Sequence, residues 1–450
     1  MLMAVVLILL VIGSLVFHFA SPWYLTPLAS NWGLIDTTID ITFIVTGIVF
    51  VAVNLFMAYC VIKFRHKPGL KAEYDPENTK LEVWLTIVTS VGVVAMLAPG
   101  LVVWGQFVNV PDDAIEVEAV GQQWHWSYRY PGADGILGNV DIGQITEQNP
   151  FGIDPDDPTG QDDVLVANPV AHLPVDQAAH LLLRSKDVLH NFTVPQFRVK
   201  MDLVPGMVTY QWFTPTVVGE YDVLCEELCG LAHFAMRGRV VVESQADFDA
   251  WLGAQPTFAE TMARPAGDAT AGQASYAICA ACHGPDAQGM QALNAPKLTG
   301  QEGWYLRRQI KYFKDGIRGT AEGDVFGATM APIMAAVPDD TAIDNIVAYI
   351  ESLPSEPAEP TITGDIARGE QLYRSCSACH GEDGEGIWAL NAPGLAGMTD
   401  WYIARQLQNF KDEVRGAHRS DAYGHQMMLL ADALRDEQAI NDVVAYINTL

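Results

Sequence analysis

The sequence predicts a multidomain chain: transmembrane helices, then an antiparallel β-sandwich, then two all-α domains. Three observations carry this expectation. Residues 1–110 hold three long apolar runs, residues 111–252 alternate short apolar and aromatic stretches with turn residues, and a Cys-x-x-Cys-His unit occurs twice at an offset of 97 residues. A length of 450 residues leaves room for about three domains. Hydrophobic residues make up 50% of the chain, yet 54 Asp and Glu stand against 26 Lys and Arg. These figures conflict for one soluble domain and agree for an apolar anchor joined to acidic, water-facing domains. A net charge of −28 argues against nucleic acid as a partner, because nothing here would neutralise phosphates. It can steer a basic protein, or simply keep the surface soluble in a salty habitat.

The membrane anchor is expected over residues 1–110. Met1–Ala20 is almost wholly apolar, but no Lys or Arg precedes Lys63 and no Ala-x-Ala site follows. A signal peptide would show both, so the run reads as a retained membrane helix. Ile39–Ile62 and Leu81–Gly105 exceed the about 20 apolar residues that a span needs. Lys63, Arg65, Lys67, Lys71 and Lys80 lie between them, which places that loop on the cytoplasmic side. Everything after Gly105 then lies outside.

Residues 111–252 are expected to form the sandwich. Ala114–Val120 alternates, and Gln122–Tyr130 is a dense aromatic strand. Pro131–Pro174 is rich in Gly, Pro and Asp and reads as a long solvated loop. Its acidic order does not match the calcium-hand motif. Leu181–Leu189 reads as a strand with His190 at its end, and Gly219–Leu224 and Arg237–Glu243 as strands around a loop. That loop carries Cys225, Cys229, His233 and Met236 at i, i+4, i+8 and i+11. Thiolate with thioether selects copper over harder metals. Zinc sites more often show paired Cys or His arms. A Cys225–Cys229 disulfide suits an oxidising compartment, but leaves His233 and Met236 unexplained. An imidazole from a distant strand, with the other ligands on the last loop, is the plan of a cupredoxin sandwich. Ser244–Leu252 reads as a short closing helix and Gly253–Gly267 as a loose linker.

Residues 268–354 and 363–450 are a duplication. Cys279-Ala280-Ala281-Cys282-His283 recurs as Cys376-Ser377-Ala378-Cys379-His380, and Phe313-Lys314-Asp315 as Phe410-Lys411-Asp412. The seam, Pro354–Pro360, is proline-rich and extended. Cys-x-x-Cys-His is the attachment signature of c-type haem. A thioredoxin-type pair is the rival reading, and it lacks a role for the twice-repeated His. Met raises the haem potential as sixth ligand. Met330 and Met427 fall in register, whereas Met334 aligns with Ala431 and Met428 with Ala331. Cys60 stands alone in an apolar run and reads as a small buried residue.

The motif Cys-x-Glu-x-Cys-x-x-x-His-x-x-Met, with Asp187-Val188-Leu189-His190 upstream, resembles the dinuclear copper centre of cytochrome c oxidase subunit II. The resemblance implies two thiolates, Cys225 and Cys229, bridging two coppers that share one electron. It implies His190 and His233 as one ligand each, and Met236 and the carbonyl of Glu227 as weak outer ligands. The Glu227 side chain is implied to reach a magnesium ion at the border with subunit I, and Trp124 to face the coppers and pass electrons. Glu82 would lie by a proton channel into subunit I, although Glu82-Val83-Trp84 departs from the family's usual Glu-x-x-Trp. Family members usually carry two spans, so the first run is a further departure. The duplicated units resemble small class I cytochromes c, paired as in some bacterial two-haem cytochromes.

The expected function follows from that resemblance: subunit II of a haem-copper terminal oxidase in the bacterial inner membrane, multi-pass, with copper and haem domains on the periplasmic face. Electrons enter through two covalently bound haem c groups, held by Cys279, Cys282, His283 and Met330 and by Cys376, Cys379, His380 and Met427. They pass to copper and on to subunit I, which reduces dioxygen and translocates protons. Subunit III and an external donor, such as a cytochrome c or a quinol–cytochrome c reductase complex, are the further expected partners. A tethered haem works at high effective concentration. The alternatives are the electron-input subunit of a copper-containing nitric-oxide reductase and a membrane-anchored electron carrier. Nitrous-oxide reductase is disfavoured by the spans and by the lack of a His-rich propeller, and a quinol-oxidase subunit by the presence of copper ligands.

Overall fold

The computed structural model describes residues 2–21, 25–69, 71 and 76–450. Met1, part of the first apolar run, lies outside them. Among the described residues, three helices are long and apolar enough to cross a membrane: α1 (Leu2–Ala20), α2 (Gly33–Lys63) and α3 (Thr79–Phe107). Helix α2 starts earlier than the apolar run because Thr37, Thr38, Thr42 and Thr46 donate their hydroxyls to carbonyls four residues back. That bonding lets polar residues stay helical. Helix α3 is capped by the Asn78 side chain on Leu81 N–H. Both the α1–α2 connection and the end of α3 are fastened to the sandwich. Trp32 is buried against Trp212 with ring centroids 4.8 Å apart. Trp212 donates its indole N–H to the carbonyl of Gln106 at 3.2 Å.

The sandwich comprises β1 (Ile115–Gln122), β2 (His125–Tyr130), β3 (Val164–Val166), β4 (Val170–Pro174), β5 (Ala179–Ser185), β6 (His190–Val194), β7 (Val199–Leu203), β8 (Thr209–Phe213), β9 (Gly219–Leu224) and β10 (Arg237–Glu243). One sheet runs β3-β2-β1-β5-β8 and the other β4-β10-β9-β6-β7. Most pairings are antiparallel; β1 with β5 and β4 with β10 are parallel. Trp126, Tyr128, Phe192, Leu203 and Val240 fill the space between the sheets. The strand ending at Ser185 stops short of His190, which instead opens β6 in the opposite sheet. That switch carries the imidazole across the sandwich to the loop after β9.

Two sequence expectations are corrected. The stretch after Pro131 is packed, not solvated: Asn149, Phe151, Ile153 and Asp163 are buried, and its last residues form β3 and β4. The acidic side chains turn inward to satisfy the loop's own backbone. Asp163 accepts from Gly138 N–H and from Arg129, and Asp157 from the N–H groups of Asn139 and Thr159. The segment Gly253–Gly267 is not loose either. After α4 (Gln245–Gly253) it forms α5 (Phe258–Met262), started by a reciprocal Thr257–Glu260 cap, with Phe258 buried beside Phe151 and Ile153.

Unit 1, residues 268–354, holds α6 (Ala269–His283), α7 (Gly303–Lys314), α8 (Val325–Ala335) and α9 (Asp340–Ser352). Unit 2, residues 363–450, holds α10 (Ile366–Tyr373), α11 (Ser377–His380), α12 (Asp400–Lys411), α13 (Ala422–Ala431) and α14 (Glu437–Ile447). In each, the first and last helices cross at a glycine. A Cβ on Gly272 would lie 1.8 Å from the carbonyl oxygen of Asn345, and one on Gly369 2.0 Å from that of Asp442. Only glycine permits so close a backbone approach.

Candidate copper and haem sites

The loop between β9 and β10 and the start of β6 bring together the sulfur and imidazole groups singled out in the sequence. Cys225 Sγ and Cys229 Sγ stand 3.8 Å apart and unbonded, both buried. His190 Nδ1 lies 3.9 Å from Cys225 Sγ, His233 Nδ1 3.4 Å from Cys229 Sγ, and Met236 Sδ 3.8 Å from Cys229 Sγ. The carbonyl oxygen of Glu227 is 3.3 Å from Cys225 Sγ. Ligand atoms of His190, Cys225 and Cys229 all lie within 4.8 Å of one another. Strand β9 and the turn His233–Ala235 set this spacing by pulling the chain back on itself. His233 and Met236 thereby return to the sulfur pair.

Neighbouring groups shift the titration of this cluster. The contact between the two thiols pulls the pKa of Cys225 down and pushes that of Cys229 up. Burial opposes charge on His190, but hydrogen bonds to Asp187 and Cys225 outweigh it and raise its pKa. Asp187 Oδ1 sits 2.8 Å from His190 Nε2. A carboxylate on the far nitrogen fixes the tautomer of a ligating imidazole. This places the Nδ1 lone pair toward the sulfurs. Two buried thiols, two imidazoles and a thioether form a soft donor set that suits copper. Trp124 is buried beside the loop, its indole N–H donating to the carbonyl of Cys229 at 3.1 Å, with Gln123 Nε2 on the same oxygen at 2.7 Å.

The two Cys-x-x-Cys-His segments open onto one continuous cleft between the units. It is lined by His283, Met330, His380 and Met427, and encloses about 1930 Å³ including its mouth. Met334 also lines it. His283 Nδ1 is 2.8 Å from the carbonyl of Pro296, and His380 Nδ1 2.7 Å from that of Pro393. Donation from Nδ1 leaves the Nε2 lone pair free for a metal. Burial lowers the pKa of both imidazoles, against the carbonyl bonds. Iron with a porphyrin fits this donor set and this apolar space.

Sequence reasoning missed a second set of groups. Arg308, Arg318, Arg405 and Arg415 all line the cleft. Arg318 binds Tyr402 and Gln406 across the units, and Arg415 binds Tyr305 and Gln309 in the mirrored sense. Arg308 and Arg415 keep buried Nε atoms without a partner among the described residues. The pairing Arg318/Arg415 at the repeat offset was the available signal. The Asp187 support of His190 was also missed, though its spacing of three residues is plain.

Comparison with known proteins gives two family matches. The family described as cytochrome C oxidase subunit II, periplasmic domain, matches residues 115–245. The family described as cytochrome c matches residues 269–354 and 366–450. The chain is 59% identical over 266 residues to the alternative cytochrome c oxidase subunit 2 of Bradyrhizobium diazoefficiens, covering 59% of this chain and 96% of that one. It is 30% identical over 217 residues to cytochrome c oxidase subunit 2 of Cereibacter sphaeroides, covering 46% of this chain and 72% of that one. Cytochrome c4 of Pseudomonas aeruginosa is 36% identical over 165 residues, covering 34% of this chain and 76% of that one.

Proposed function

This chain belongs to the cytochrome c oxidase subunit II family, and from that premise we propose that it feeds electrons from two haem c groups through a dinuclear copper centre into subunit I. It is an electron-input oxidase subunit, and its domain families imply copper and haem c. The sulfur–imidazole cluster carries the finer reading: five soft or borderline side chains, from the start of β6 and the loop between β9 and β10, converge on one spot.

Bound there, the copper pair and the haems supply one-electron donors and acceptors. The chain's own residues supply the rest. Cys225, Cys229, His190 and His233 would hold the coppers, with Met236 and the Glu227 carbonyl as further, weaker ligands. Asp187 keeps the His190 proton on Nε2. His283 and His380 hold theirs on Nδ1 against proline carbonyls, and these imidazoles with Met330 and Met427 would hold the haem irons. The unpaired Arg308 and Arg415 N–H groups suit the carboxylates of the haems. Trp124 links the loop to β2 and offers the route toward subunit I, and Glu227 offers a magnesium ligand at that border.

The domain division is an anchor over 1–110, a copper domain over 111–252 and cytochrome c domains over 268–354 and 363–450. The spans α1 to α3 lie in the bacterial inner membrane. The α1–α2 connection and the end of α3 both touch the sandwich, which supports placing both on the periplasmic face with the Lys-bearing α2–α3 loop opposite. Subunit I performs dioxygen reduction and proton translocation, with subunit III alongside. The test is purification from detergent extract. Near-stoichiometric copper, covalent haem and a partner with haem a that consumes oxygen are expected. Nitric-oxide turnover instead of oxygen consumption, or a chain isolated without a partner, contradicts the reading.

A further inference from the structure

The duplicated units have identical motifs, yet they sit differently on the copper domain. Helix α13 of unit 2 lies against the turn His233–Ala235 that carries one copper-loop imidazole. Gln426 Nε2 donates to the carbonyl of Trp124 at 2.6 Å. Tyr423 donates its hydroxyl to the carbonyl of Ala167 at 3.0 Å, and its ring lies 4.8 Å from that of His125. Gln122 binds the carbonyl of Ala389, and Arg419 pairs with Glu220. Ala378, Cys379, Leu429 and Leu430 pack on the copper domain's core. Cys379 is itself one of the two haem-attaching sulfurs of unit 2.

Unit 1 does the opposite. At the repeat offset Tyr423 becomes Phe326, Gln426 becomes Thr329, and Arg419 becomes Glu322. Phe326 is 44% exposed and the preceding Val325 68%, where their unit 2 counterparts are half-buried. The polar and aromatic side chains Tyr423, Gln426 and Arg419, which tie unit 2 to the copper domain, are therefore ones in which the two copies have diverged.

We infer that the two haem sites work in a fixed order, with unit 2 the copper-facing relay, docked through α13, and unit 1 the receiver of electrons from outside. The inference rests on the copper and haem assignment proposed above. One electron moves at a time. Unit 2 is oxidised as the copper loop is reduced, and unit 1, reduced by a one-electron donor protein, refills unit 2; no bond or proton changes hands. Tyr423, Gln426 and Arg419 are positioning residues: they fix the distance and touch no reacting atom.

The experiment uses the intact purified oxidase and two variants. In Arg419→Glu combined with Gln426→Thr, unit 2 takes the residues of unit 1 and sets a like charge against Glu220. Like charges set across the interface oppose docking, so haem-to-copper equilibration after flash reduction is expected to slow by about tenfold or more. Hydrogen exchange over Ala422–Ala431 should lose protection, with α8 unchanged. Reduction of the unit 1 haem by the outside donor should keep its rate. Glu322→Arg should leave haem-to-copper equilibration as in the parent. Unchanged exchange and unchanged equilibration in the double variant, or slower equilibration in Glu322→Arg, overturns the order. Copper and haem content are measured first. Their absence overturns the assignment above, while exchange over α13 still reports whether unit 2 docks.

Discussion

Helices α8 and α13 descend from one ancestor and present the same register of methionine, glycine and capping aspartate, yet one faces water and the other a protein surface. Val325, Phe326, Ala328 and Thr329 are exposed; Ala422, Tyr423, His425 and Gln426 are half-buried. What stayed constant lines the cleft: His283 and His380, Met330 and Met427, and the proline carbonyls that orient the imidazoles. What changed decides position. Duplication therefore gave two carriers of one chemistry, and a few surface substitutions gave them different neighbours.

The contrast breaks hardest if the shared cores are unequal. Ile343 and Ile440 occupy the same repeat position and are both buried. Truncating either to Ala should cost about 2–5 kcal/mol, read from local hydrogen exchange in each unit. A markedly smaller cost in unit 2 would mean that docking, not its own core, holds it together. Next is the copper side of the contact. Asp187→Asn removes the carboxylate that fixes His190, and should weaken copper binding by about 10–100-fold, measured by competition with a chelator, while both haem spectra stay unchanged. Smaller again are the caps. Asp324 and Asp421 both accept from the N–H of the third following residue. Replacing either by Ala should cost about 1 kcal/mol, with the Asp421 change also loosening α13 from the copper domain.

The smallest effect separates the units by pH. Asp442 takes the place that Asn345 fills in unit 1, each accepting from the first helix's capping residue. Burial works against the Asp442 carboxylate, but hydrogen bonds from Asp365 N–H, Gln438 and Arg368 outweigh it and hold its pKa below the ordinary 3.8. A lowered folded-state value stabilises unit 2 fully above that ordinary value, and the gain is lost as pH falls through the lowered one. Acid titration followed by exchange should therefore destabilise unit 2 by this route, and Asp442→Asn should remove that part of the acid sensitivity.

Much of this was legible in the sequence, for physical reasons that also mark where legibility stops. The Cys225–Met236 spacing reports a local turn, so the side chains that meet there could be named without coordinates. The apolar runs report membrane helices by length alone. The offset of 97 residues chose Met330 and Met427 over Met334 and Met428. The parallel pairings of β1 with β5 and β4 with β10 left no mark, since alternation fixes which face is buried and not which strand lies beside it. The Asp-rich loop misled because carboxylates that cap their own backbone have the composition of solvated ones. The Thr257–Glu260 cap was readable and went unread. The docking of unit 2 depends on contacts such as Gln426 with Trp124, 302 positions apart, which no local pattern encodes.

Copper electron paramagnetic resonance on the purified complex, beside mass mapping of Cys225 and Cys229, bears most directly on the sulfur–imidazole cluster. A signal with one unpaired electron spread over two copper nuclei, abolished in Cys229→Ser with both haems retained, is the expected result. A signal from a single copper, no copper at all, or a peptide in which the two cysteines are joined to each other would contradict it.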